Sequence, residues 1–198
     1  ALFQMEGDMK DHLLRIIEKG KLVNKYEVLK FTVREEKLPK ESKEILIKQS
    51  LRMAYFVDTP AVNELEVLMK IRYLAIREIT PYKAGDVTSV VIKHFERMKF
   101  EYDKGRETNS HVIEALNCLG SMGTHEAAVT CAQYLEYINL ITEKKKVFDE
   151  QIVLTLINNL EILDNKVAID PLQYTVFLDY NDKIKKAAQE VADKLMGF

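Results

Sequence analysis

The chain has no tryptophan and only 2 cysteines, 4 prolines and 7 glycines in 198 residues. Each scarcity excludes something. Two cysteines, Cys118 and Cys131, supply neither a zinc motif nor a disulfide-stapled scaffold. They read as two small buried side chains, with a disulfide between adjacent helices as the alternative. Few Pro and Gly against ordinary usage means few turn and breaker residues. No apolar run approaches the ~18–20 residues of a membrane-spanning helix. The start, "ALFQMEGDMK", has no initiator Met and no apolar signal-peptide core, so it reads as a processed terminus or a cloning boundary. Neither sign of charge dominates: 29 Lys and Arg against 31 Asp and Glu give a net charge of −2. No basic excess points to nucleic acid.

What remains is a chain 47% apolar and 30% charged, long enough to fold on its own core without metal or disulfide. It is rich in the helix formers Leu, Ile, Lys and Glu, and no segment sustains a two-residue alternation. The fold class expected is all-α. Asp8 is placed to cap a first helix ended by Gly20, and Asn24 to cap a second that stops before Pro39. A third runs from Lys40 towards a proline stop. Thr59-Pro60 then starts one long helix or two short ones reaching Ile79, ended by Pro81. Asp86, Thr124 and Asp149 are expected caps of later helices, Asp170-Pro171 opens another, and "NDKIKKAAQEVADKL" completes the chain.

The segments repeat. With "IRYLAIREIT" (71–80), "HVIEALNCLG" (111–120) and "IVLTLINNLE" (152–161) aligned, Ala75, Ala115 and Leu156 share a column. So do Ile76, Leu116 and Ile157, and then Ile79, Leu119 and Leu160. Val191, Ala192 and Leu195 continue the pattern after a shorter step. A short polar turn and another helix follow each of the first three. A lone helix pair cannot cover its apolar face, so stacking pairs at a step of roughly 40 residues makes the core. Gly120 and Gly123 are expected to supply left-handed backbone for the tight turn between two such helices.

The stretches "AIREITPYKAGDVTSVVIKHF", "IEALNCLGSMGTHEAAVTCAQYL" and "KKAAQEVADKL" resemble the HEAT-repeat family, and look most like degenerate HEAT arrays of bacterial proteins, some of them exported. The resemblance implies a right-handed α-α superhelix of about four to five helical pairs. Residues 1–70 would be irregular N-terminal helices capping the solenoid and 71–198 the repeats, together one continuous domain. It further implies a non-enzymatic scaffold with a protein partner on a concave helical surface, in a periplasmic or exported setting. Two alternatives stand beside it: an enzyme on this scaffold, such as a bilin lyase, or a structural subunit of a larger assembly. Related glycosylases use Trp and a basic concave face, whereas this chain has no Trp and is slightly acidic.

The aligned helices also give two polar rows. Lys70, Ser110, Gln151 and Lys186 form one, Arg77, Asn117, Asn158 and Asp193 the other, with Tyr73 between them. Lys70, Tyr73, Arg77, Ser110, Asn117, Gln151 and Asn158 are the candidate binding residues; an ordinary solvated helix face has the same composition. No catalytic residue, metal ligand or cofactor is expected. The histidines His12, His94, His111 and His125 have no i, i+4 partner histidine and no carboxylate partner fixed by the sequence, and read as exposed or half-buried helical residues. Phosphate-loop, dinucleotide, nucleophile-elbow and zincin motifs are all missing. The pairs Tyr134/Tyr137 and Tyr174/Phe177 read as packing, and the "EKKK" run at 143–146 as solvated.

Overall fold

A computed structural model describes residues 2–56, 61–144 and 148–197, with side chains from residue 9 onward, Asn63 excepted. The described residues form ten α-helices joined by turns and short 3-10 segments, with no strand. They divide into two compact units, Ala1–Tyr82 and Lys83–Phe198. The expected helix start at Thr59-Pro60, and Lys145 and Lys146 of the basic run, lie outside the described residues.

The first unit holds α1 (Leu2–Lys19), α2 (Leu22–Arg34), α3 (Lys40–Tyr55) and α4 (Leu65–Ile79). Two expected caps are corrected. Helix α1 already begins at Leu2, which puts Asp8 inside it. Helix α2 begins at Leu22, with Lys21 in the extended cap conformation, so Asn24 falls in the first turn, where a side chain no longer caps. The segment before Ile79 is one α-helix, preceded by a 3-10 turn over Val62–Glu64, and Pro81 lies in the 3-10 turn that ends it. Helix α1 packs on α3 and α2 on α4, each also meeting its neighbour in sequence. Helix α4 packs on α2 and α3 within the first unit. Arg72 locks this packing. It is buried on α4, and its Nε and Nη2 donate to the carbonyl of Ala54 in the last turn of α3, at 3.0 and 2.7 Å. Its guanidinium lies 4.5 Å from the Tyr55 ring centroid. A cation there also meets the negative end of the helix dipole.

The second unit holds α5 (Thr88–Asp103), α6 (Asn109–Ser121), α7 (His125–Glu143), α8 (Glu150–Leu163), α9 (Ile169–Phe177) and α10 (Asp182–Met196). Neighbours in sequence pair as α5–α6, α7–α8 and α9–α10. Packing between pairs joins α5 to α7 and α7 to α9, and on the other layer α6 to α8 and α8 to α10. Thr124 and Asp149 cap as expected: Thr124 accepts from Ala127 N at 3.3 Å, and Asp149 from Gln151 N and Ile152 N at 2.9 and 3.2 Å. Asn181 caps α10 by accepting from Ile184 N at 3.0 Å. Asp86 instead sits inside a 3-10 turn, Gly85–Val87, that leads into α5.

Every residue of the aligned apolar columns is buried, from Ala75, Ile76 and Ile79 to Val191, Ala192 and Leu195. Burying a Leu or Ile of this kind stabilises by about 1.5–3 kcal/mol relative to leaving it exposed. Of the two glycines in the α6–α7 turn region, only Gly123 is left-handed, with φ +66°. Gly120 lies within α6 and has another role: a Cβ there would come 2.8 Å from Cβ of Asn159 on α8. Cys118 and Cys131 are both buried and are not joined to each other, which removes the disulfide alternative.

Candidate functional site

The two polar rows fall on the outward side of their helices. In the first unit Lys70 and Arg77 are exposed on α4, and Tyr73 is half-buried. Both cations are already paired. Lys70 Nζ lies 2.6 Å from Glu66 and Arg77 Nε 3.0 Å from Glu78. The Lys70 pairing holds the Glu66 carboxyl below its ordinary range and the ammonium above its own.

In the second unit Ser110 and Asn117 are exposed on α6, and Gln151 and Asn158 on α8. These four come together because α6 packs on α8. Gln151 Oε1 accepts from Asn109 Nδ2 at 3.3 Å, and the same amide donates to the cap Asp149 at 3.0 Å. Asn117 Oδ1 accepts from Asn159 Nδ2 at 3.3 Å. Asn117 is therefore a surface residue with a structural bond. Lys186 is exposed on α10, and Asp193 is half-buried there. The α6–α8 face carries amides, a hydroxyl, the half-buried Glu114 and a few apolar groups such as the half-buried Ile113 and Leu154.

Sequence pattern does not single out the remaining clusters. Glu107 and His111 stand four residues apart at the start of α6, and the imidazole Nδ1 bonds the carboxylate. The expectation that no histidine has a carboxylate partner is corrected at His111, where the i, i+4 spacing brings Glu107 onto the ring. His94, expected at least half-exposed, is buried in α5. Phe177 is 82% exposed rather than packed. Tyr134, by contrast, is 2% exposed and sits in an aromatic cluster. It meets Phe95 edge-on at 5.1 Å and Phe148 at 6.2 Å, and stacks near-parallel on Tyr137 at 6.2 Å. Lys99 lies 5.4 Å from the Tyr134 centroid and 5.8 Å from that of Tyr137, and pairs with Glu96 at 2.9 Å. Burial pushes the Tyr134 phenol far above its ordinary range and the Asp103 carboxyl up. The rings supply cation–π contact to the protein's own lysine.

Asn139 of α7 anchors a buried polar network. Its Nδ2 donates to Pro171 O at 2.9 Å, while its Oδ1 accepts from Thr175 and Tyr180 at 3.2 and 3.0 Å. Among the described residues no group of three or more His, Cys, Asp or Glu is arranged to hold a metal ion. None of their helices is long and apolar enough to cross a membrane.

Compared with known proteins, the chain matches no protein-family model, no curated protein and no solved structure.

Proposed function

We propose that this chain is built from HEAT-like stacked helix pairs and works as a non-enzymatic binding module, with the outward face of α6 and α8 presented to a protein partner. The single observation that carries this reading is the spacing of hydrogen bonds in the second unit. Thr88–Thr124, Asn109–Asp149, Asn117–Asn159, His125–Asn165, Asn139–Thr175, Thr142–Tyr180 and Glu161–Lys194 each join a helix, or the cap or turn beside it, to the equivalent element of the next pair. Their partners lie 33 to 42 residues apart. Equivalent positions of successive pairs thus touch, as a repeat of about 40 residues requires. The apolar columns buried beneath them follow the same step.

In a HEAT-like array the second helix of each pair lines the concave side, which assigns Ser110, Asn117, Gln151 and Asn158 to the binding face. Lys70, Tyr73 and Arg77 hold the matching positions on α4. An amide-rich surface over a buried apolar layer suits a peptide backbone, whose N–H and C=O groups pair with Asn and Gln.

The test is photo-crosslinking. A benzophenone amino acid placed at 117, and separately at 158, is irradiated in the native host. The same protein captured from both positions supports the reading. Capture from neither, alongside efficient capture from a probe at 177, contradicts it.

A further inference from the structure

A groove on the other layer of the second unit has a chemistry of its own. The outer faces of α7 and α9 enclose an open cavity of about 450 Å³. Val129 and Ala132 from α7, with Val167 and Pro171 from the α9 side, form an apolar floor. Glu136 and Asp170 stand on the same groove, both exposed. Tyr174 closes one wall, and the Glu143 carboxylate near it holds the phenol above its ordinary range.

The charge here is one-sided. Helix α7 brings Glu136 and Glu143 to this side and contains no Lys or Arg, and α9 adds Asp170 without a base. Lys144 and Lys166 stand at the ends of these elements, yet among the described residues neither Glu136 nor Asp170 has an ion-pair partner. Several carboxylates elsewhere are matched on the spot, Glu66 with Lys70, Glu161 with Lys194 and Glu190 with Lys186. The first unit shows the contrast. Its own groove, of about 520 Å³, mixes Lys40 and Lys43 with Glu36 and Glu78 and so selects no sign of charge.

We propose that the α7–α9 groove takes a short extended segment of a partner protein in which Lys or Arg alternates with aliphatic residues. In an extended chain successive side chains point to opposite sides, so residues two apart share a side. Aliphatic side chains fill the floor over Val129 and Val167. A cation placed beside them meets Glu136 and Asp170. The inference shares with the proposed function only the reading of the chain as a binding module; it uses different helices and does not need the α6–α8 face.

The test is fluorescence anisotropy of a labelled peptide of alternating Lys and Leu with the whole chain. The same peptide with Glu for Lys, and with Ser for Leu, serves as comparator. Both comparators are expected to bind about tenfold or more weakly, a difference of about 1.4 kcal/mol. E136Q/D170N should weaken the Lys–Leu peptide by about tenfold, while E126Q/E190Q, which removes as much charge outside the groove, changes it less than about twofold. Thermal midpoints of both variants should match the parent. Absence of binding, survival of binding in E136Q/D170N, or equal weakening by E126Q/E190Q each overturns the proposal. Loss of binding in N117A/N158A alone would move the segment to the α6–α8 face, overturning the groove while supporting the proposed function.

Discussion

Gly120 of α6 lies directly against Asn159 of α8: a Cβ built on Gly120 would be 2.8 Å from Asn159 Cβ and closer still to its amide. Asn159 is 3% exposed and cannot swing into solvent without leaving its bond to Asn117. Gly120→Ala therefore sets two effects against each other. Helix propensity favours Ala by about 1 kcal/mol. Overpacking costs typically 1–3 kcal/mol, and buried Asn159 has little room to yield. Net destabilisation is expected in chemical denaturation. The cost of Gly120→Ala should shrink in an Asn159→Ala background, because most of the obstructing side chain is gone. A variant as stable as the parent would show that α6 and α8 are not this close.

Leu119→Ala should cost about 2–5 kcal/mol, since Leu119 is fully buried in an apolar column. Asn117→Ala should cost less, about 1 kcal/mol, through loss of the bond that pairs the buried Asn159 amide. Equal midpoints for the two would contradict the register.

The apolar columns at Ala115, Leu116 and Leu119 are legible in the sequence because they follow helical period, and burial is what makes that period necessary. Thr124 and Asp149 read as caps because each precedes a fresh apolar stripe. Asn24 and Asp86 mislead, since the same residue types fit a first helical turn or a 3-10 turn, and only backbone angles separate the cases. Gly120 reads as a turn residue; its role depends on a residue 39 positions away, Asn159, which local pattern does not reveal. For the site, exposure of Lys70, Ser110, Asn117 and Asn158 follows from the same columns. The α7–α9 groove does not, because it depends on which outer faces lie side by side. Its one-sided charge is nonetheless present in the sequence, because neither the α7 stretch His125–Glu143 nor the α9 stretch Ile169–Phe177 contains Lys or Arg.

Arg72→Lys should behave as a disruptive change. Two guanidinium nitrogens converge on the Ala54 carbonyl, and an ammonium cannot reproduce that fork or the flat contact with Tyr55. A loss of about 2 kcal/mol is expected, in line with hydrogen bonds to charged groups. Full stability of the Lys variant would show that charge alone is needed at the end of α3.

Burial pushes the Cys131 thiol up to about 12. Only the thiolate reacts, so the folded protein should resist thiol labelling at pH 8, and both cysteines should label once it is denatured. The sign of the pH effect follows. Below the unfolded value near 9.0 the thiol is protonated in both states and stability is unaffected. As pH rises from there towards about 12, the unfolded thiol ionises first and folding loses stability. Burial of the Tyr134 phenol acts in the same direction. Denaturation midpoints followed from pH 8 upward check this, and midpoints that rise with pH would contradict it.

The central claim is that successive helix pairs stack in a register of about 40 residues, and one cross-link tests it directly. Thr88 and Thr124 start the first helices of two successive pairs, and their hydroxyls are 3.1 Å apart. In the double variant Thr88→Cys/Thr124→Cys, mild oxidation of the folded protein should close an intramolecular disulfide, read by mass spectrometry without reductant. Cys118 and Cys131 should stay reduced, and helical content should be unchanged. If the introduced pair stays reduced in the folded chain, or joins only between molecules, the stacked-pair register is wrong.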